Sequence, residues 1–260
     1  MRDGRASLTA QRVAAQRLTF DRLEAPFGDP DSDERLASDV ASEVGPVGIG
    51  PMTRYLSART RFFDRVVVAA LDGGTTQVVV AGAGYDGRSL RYAKPGVAWF
   101  EVDHPDTQAD KRRRLDRLGI ATPGTTFVAA DFTEGGLPVA LRDAGHDPAV
   151  PTLFLCEGVA VYLEPAVLAS LVESLRRVAA PGSRLAISLS VTDGGEELAT
   201  RRRIFDEAVA ALGEPTRSVL TAGDAEALFH ATGWRSVPSA VDPHTVASTR
   251  RAGFVTAEPA

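Results

Sequence analysis

Glycines and acids of the kind that hold a polar ligand stand at the ends of short apolar runs in this sequence. The run Val78-Val79-Val80-Ala81 leads into Gly82-Ala83-Gly84-Tyr85-Asp86-Gly87. This G-x-G-x-x-G spacing suits a strand-to-helix turn that lets a ligand approach the backbone, and Asp103 follows about twenty residues on, where an acid that binds ribose hydroxyls belongs. Later runs end in Glu101-Val102-Asp103, Asp131-Phe132 and Glu157-Gly158. Taken literally, the glycines and Asp103 describe a dinucleotide site. The same device serves any ligand that lays an adenosine across the crest of an open α/β sheet. Three successive acidic strand ends cradle a pyrophosphate poorly, whereas carboxylates suit a sulfonium, an ammonium, a ribose diol and an adenine amino group. The residues therefore favour S-adenosylmethionine over a nicotinamide dinucleotide as cofactor.

Strand and helix signals around these residues alternate as a parallel sheet with crossover helices requires. Strands are expected at VVVAGAG, VAWFEVDHP, TTFVAADF, TLFLCEG and SRLAISLSV, with helices opening at DGRSLRY and running through TQADKRRRLDRLG and PAVLASLVESLRRVAAPG. Before them, Thr9 to Ala41 has helical periodicity broken by a turn at APFGDPDSD, and a second helix runs through YLSARTRFFDRVVVAAL. After them come a polar helix, which Ile204, Phe205, Val209 and Leu212 could make a lid, then a short strand or loop, a helix capped by Thr221, and a strand. The expected fold class is α/β: a Rossmann-like sheet, mostly parallel with an antiparallel C-terminal strand, plus an N-terminal helical cap. The expected division is a cap or lid over residues 1–74 and a cofactor-binding core over 75–260, with a helical lid insertion near 193–215.

A chain of 260 residues with a net charge of −5 has room for one large core and carries no general signature of nucleic-acid binding. The basic run from Lys111 to Arg117 is expected to be a solvated helix face. The first residues lack the apolar centre of a signal peptide, and no stretch reaches the ~20 apolar residues of a membrane span. With a single cysteine, Cys156, expected to be a small buried strand residue, these features predict a cytoplasmic protein with no membrane partner and no metal site.

The segments SARTRFFD, AGAGYDGRSLR, WFEVDHPDTQADK, AADF and LFLCEGVAVYL resemble the leucine carboxyl methyltransferase-like group of class I methyltransferases, particularly its actinobacterial small-molecule O-methyltransferase branch. The resemblance runs from about Tyr55 to about Leu175. It implies that Gly82, Ala83 and Gly84 pass beneath the methionine and ribose portions of S-adenosylmethionine and that Asp103 binds the ribose hydroxyls. It further implies Asp131 and Phe132 at the adenine, Glu157 near the methionyl ammonium and Arg59 near the methionyl carboxylate. Contacts from Arg12 or Arg17 stay open. Each residue also has a purely structural reading: a tight turn for the glycines, a helix cap for Asp103, solvated loop acids for Asp131 and Glu157, and a surface ion pair for Arg59.

Tyr162 is the candidate catalytic residue, as a side chain lining the acceptor pocket, with core packing the competing reading. The four histidines, His104, His146, His230 and His244, lie in no motif that marks a catalytic base. A carboxylate acceptor needs none, because with a reference pKa of ~4 it is ionised at neutral pH. The residues thus lean to a carboxylate acceptor, methylated to an ester, as does the resemblance; a protein C-terminus and a small molecule both stay open, and the branch that the sequence resembles implies a small molecule. A nicotinamide-dependent oxidoreductase and a non-methylating S-adenosylmethionine-binding protein are the alternatives, and the oligomeric state is not legible.

Overall fold

The structure, a computed structural model, describes residues 6–192, 215–237 and 253–260. Five parallel strands, β1 (Gln77–Ala81), β2 (Ala98–Asp103), β3 (Thr125–Ala129), β4 (Thr152–Cys156) and β5 (Arg184–Ser188), are joined by β6 (Trp234–Val237) and β7 (Phe254–Pro259) in one sheet. The strand order is β3-β2-β1-β4-β5-β7-β6, and β7 runs antiparallel to both of its neighbours. This is the mostly parallel sheet with an antiparallel C-terminal edge that the sequence predicts. Strand order reverses between β1 and β4, which opens a crevice at their carboxyl ends.

The central strands are continuous apolar runs because both faces are covered. Val79, Phe154, Leu185 and Ile187 face helix α7 (Pro165–Arg177), whose Leu168, Leu171, Val172 and Leu175 form one stripe. The alternate residues Val78, Val80, Leu153 and Leu155 face helix α3 (Pro51–Asp72) through Phe62, Phe63, Val66, Val67 and Leu71. The period of two along each strand thus divides the core into two layers.

Helix α1 (Leu8–Arg17) packs on α2 (Pro30–Val44) and α3. The predicted turn at APFGDPDSD holds the start of α2, because Asp29 caps Ser32 N–H and Pro30 takes the first helical position, where no N–H is required. Helix α4 (Arg88–Arg91) is a single turn. Then α5 (Pro105–Leu118), α6 (Leu137–Asp143) and, after a 3-10 turn at Ala160–Tyr162, α7 complete the crossovers. Helix α8 (Ala222–Ala231) carries the expected Thr221 cap. The predicted lid helix near 193–215 and His244 lie outside the described residues.

The basic run on α5 is not uniformly solvated. Arg112, Arg113 and Arg117 face outward, but Lys111 and Arg114 are buried. Lys111 Nζ reaches the Glu101 carboxylate inside the sheet edge, and Arg114 binds Asp39 and Glu43 of α2 at 2.8 and 2.5 Å. Burying these cations is tolerated because each meets a carboxylate. No helix among the described residues is long and apolar enough to cross a membrane.

Candidate active site

The crevice at the β1/β4 switch point is one cavity of about 600 Å³, and it brings together all nine predicted site residues. Gly82, Ala83 and Gly84 form its floor after β1. Asp103 stands at the end of β2, Asp131 and Phe132 follow β3, and Glu157 follows β4. Arg59 enters from α3, and Tyr162 from the 3-10 turn. In sheet order the acids run Asp131, Asp103, then the glycine turn, then Glu157. At about 4.8 Å per strand, that row is roughly 14 Å long.

The turn needs its first two glycines for backbone reasons. Gly82 and Gly84 have φ of 72° and 51°, the left-handed region that side chains disfavour. A Cβ on Gly82 would also stand 2.7 Å from Val159 Cγ2, and one on Gly84 would stand 3.0 Å from Ala10 Cβ of α1. The third glycine serves another purpose. A Cβ on Gly87 would fall 1.7 Å from Asp33 Oδ1, so this position admits a carboxylate from α2 rather than a ligand. The start of α4 is likewise taken by protein, since Arg88 N–H donates to Asp86 Oδ1 at 2.9 Å.

Asp103 receives Gly84 N–H on Oδ2 at 2.5 Å and His104 N–H on Oδ1 at 2.7 Å. Burial pushes its carboxyl up to about 6, although both N–H donors favour the charged form. The cap of α5 is His104, whose Nδ1 accepts Asp106 N–H at 3.3 Å. Asp103 is therefore no helix cap. Asp131 accepts N–H and O–H from Thr133, each at 2.8 Å, and these bonds hold its carboxyl below the usual range. His104 Nε2 lies 3.9 Å from Asp131 Oδ2.

Glu157 is enclosed by cations. Oε1 accepts Arg59 Nε at 3.0 Å and lies 3.7 Å from Arg17 Nη2, while Oε2 lies 2.6 Å from Arg88 Nη1. Burial alone would raise this carboxyl; the three guanidiniums overcome that and hold it down. Arg59 is buried rather than part of a surface ion pair, its guanidinium lying over the Tyr55 ring and against Gly158, where a Cβ would stand 2.9 Å from Nη1. Cys156 is buried, and burial pushes its thiol up to about 12, as a structural strand residue requires.

Sequence reasoning left Arg12 and Arg17 open, and both line the cavity; it missed Asp86 and Arg88. Arg17, at the last turn of α1, lines the cavity, donates to Tyr85 O at 3.3 Å, and keeps a buried Nε with no hydrogen-bond partner among the described residues. Asp86 and Arg88 lie just beneath the floor. Their only sequence signal is the DGR that follows the paired glycines.

The profile of the leucine carboxyl methyltransferase family matches residues 3–176. The chain belongs to the leucine carboxyl methyltransferase family. Relatives include a protein of Mycolicibacterium smegmatis, 36% identical over 244 residues that cover 88% of this chain and 78% of that one. Another, from Mycolicibacterium gilvum, is 38% identical over 202 residues, 69% of this chain and 65% of that one. Both are named candidate S-adenosyl-L-methionine-dependent methyltransferases. The matched stretch thus spans just under two thirds of the M. gilvum relative's length. A crystal structure of a candidate methyltransferase from Thermobifida fusca shares the fold, with a TM-score of 0.62 and 20% identity over 99% of this chain and 96% of that one. The match to the leucine carboxyl methyltransferase family begins well before Tyr55. It therefore takes in α1 and α2 as well as every predicted site residue, and it ends on α7, before β5.

Proposed function

We propose that the protein transfers the methyl group of S-adenosylmethionine to a carboxylate of a small molecule, giving a methyl ester. The observation that carries the reading is the row of strand ends in one cavity: acid, acid, glycine turn, then a carboxylate ringed by guanidiniums. Asp103 suits a ribose diol, since each of its oxygens spends one lone pair on a backbone N–H and keeps another. Asp131 and Phe132 suit an adenine, and the glycine turn leaves its backbone open beneath the ligand. Arg59 suits the methionyl carboxylate, with Arg17 beside it, and Glu157 lies where the methionyl ammonium belongs. The family's relatives, named for the same cofactor, support S-adenosylmethionine as the ligand.

A nicotinamide dinucleotide fits less well for an electrostatic reason. Its pyrophosphate belongs at the N-terminus of the helix after β1. Here that helix is one turn long, and its first N–H, that of Arg88, already donates to the Asp86 carboxylate. An anion there would meet a buried anion.

Bound in the cavity, S-adenosylmethionine supplies an electrophilic methyl group. The remaining work is orientation and exclusion of water, which is how alignment of two reactants lowers a barrier. The helices of residues 1–74 act as the cap, α1 lying over Gly84 through Ala10. Tyr162 lines the acceptor side, with Leu56, Met52 and Val167 supplying apolar surface. His104 is the only histidine lining the cavity among the described residues, and it stands at the Asp131 end, away from Tyr162. A carboxylate acceptor asks for no base, and so this arrangement suits it. Calorimetric titration with S-adenosylhomocysteine and with NADH tests the reading: saturable binding of the first alone supports it, and binding of NADH alone overturns it.

A further inference from the structure

Beneath the cavity floor lies a guanidinium that touches no solvent. Arg88 has no exposed surface, yet it sits at the first position of α4, directly after the glycine turn. Its Nε donates to Asp64 Oδ1 of α3 at 2.7 Å, its Nη1 to Asp86 Oδ2 of the turn at 2.5 Å, and its Nη2 to Thr60 O at 3.2 Å. The same Nη1 lies 2.6 Å from Glu157 Oε2 at the end of β4. One fork thus meets three carboxylates on three segments. The face of Phe63 lies against it, 5.6 Å from the ring centre.

The three acids are not equivalent. Asp64 is shared with Arg22, which binds both its oxygens at 2.7 and 3.0 Å, and it does not line the cavity. Asp86 and Glu157 are the two acids that also face Arg17, each at 3.7 Å. Glu157 in turn holds Arg59. Arg88 is thus the charge nearest Glu157 Oε2, and Glu157 Oε1 in turn faces Arg59 and Arg17. Every one of these contacts is on the β1/β4 side of the row. Asp103 and Asp131, on the β2/β3 side, have none of them.

We propose that Arg88 is the positioning residue for the amino-acid end of the cofactor, acting through Glu157 and Asp86 without touching the ligand. The proposal rests on the S-adenosylmethionine reading of the cavity. A planar fork that hydrogen-bonds Asp64, Asp86 and Thr60 O in fixed directions while pairing by charge with Glu157 cannot be replaced by a compact ammonium, whose three donors diverge from one nitrogen. Loss of Arg88 should disturb the end of the ligand that carries the ammonium and carboxylate and leave the nucleoside end alone.

The test compares two ligands that share the nucleoside. S-adenosylhomocysteine carries the amino-acid end, and 5′-methylthioadenosine lacks it. Wild type, Arg88→Lys and Asp64→Asn are titrated with both by calorimetry, with far-ultraviolet circular dichroism checking the fold. The second variant loosens Arg88 from outside the cavity and carries the test if Arg88→Lys does not fold. The expected result is a loss of about tenfold or more for S-adenosylhomocysteine with a change of about twofold or less for methylthioadenosine, because only one end loses its oriented charges. Equal losses for both ligands would make Arg88 a general structural residue and overturn the proposal, as would wild-type affinity for S-adenosylhomocysteine in folded variants. If wild type binds neither nucleoside, the cofactor reading falls, and this proposal falls with it.

Discussion

The Asp103 carboxylate accepts the backbone N–H of Gly84 at 2.5 Å, tying the end of β2 to the turn that follows β1. Burial pushes this carboxyl up to about 6. In the folded protein Asp103 is therefore ionised at pH 7 and largely protonated at pH 5. A carboxylate that accepts two ribose hydroxyls binds best when charged. Affinity for S-adenosylhomocysteine should fall about tenfold from pH 7 to pH 5, the change expected when one group of that pKa must lose its proton. The ligand's carboxyl, ammonium and adenine N1 all titrate outside this window. Calorimetry at several pH values checks it, and a flat profile in wild type would take Asp103 away from the ribose.

The same shift sets the sign of a stability effect. The folded value lies above the unfolded value near 3.9, so the folded chain holds a proton that the unfolded chain has released between about pH 4 and 6. Asp103 therefore lends the ligand-free protein less stability as pH rises through that window. The charge that serves binding works against the fold.

Gly87→Ala should destabilise the protein by about 3 kcal/mol, through overpacking and a broken buried ion pair. The added methyl falls on Asp33 Oδ1, and Asp33 cannot step aside because Arg91 and Arg22 hold it at 2.6 and 3.2 Å. Thermal unfolding measures this. A wild-type midpoint would show that α2 can shift without cost and that the third glycine has no packing role.

That glycine shows where legibility in the sequence ends. The strands were readable because buried parallel strands are unbroken apolar runs, and the site acids were readable because they stand at the strand ends. Gly87 matches a ligand motif by spacing alone, while its reason is a carboxylate some fifty residues earlier in the chain. Lys111 and Arg114 read as solvated for a similar reason, because their partners Glu101, Asp39 and Glu43 are distant in sequence or on another element. Arg17 lacked any pattern beyond its place at the end of α1. Charge pairing between remote segments leaves no periodicity to read, whereas burial of an apolar face does.

Arg59→Lys should lose nearly as much affinity for S-adenosylhomocysteine as Arg59→Ala, about 1.5–3 kcal/mol, the range for hydrogen bonds to charged groups. Lysine keeps the charge but cannot hold Glu157 through one nitrogen while offering two others, as the guanidinium does. Calorimetry on both folded variants decides it. Full affinity in Arg59→Lys would reduce the residue to a point charge.

Transfer of a methyl group to a carboxylate leaves a product with a distinctive lability. The most direct measurement incubates the purified protein with S-adenosylmethionine labelled in its methyl group and a small-molecule extract rich in carboxylic acids, isolates the labelled product, and treats it with mild alkali. A methyl ester hydrolyses and releases the label as volatile methanol, and the rate of transfer should vary little between about pH 7 and 8, because an acceptor with a pKa of ~4 needs no base. Label that stays on the product after alkali would mark a methyl ether or methylamine and rule out carboxyl methylation.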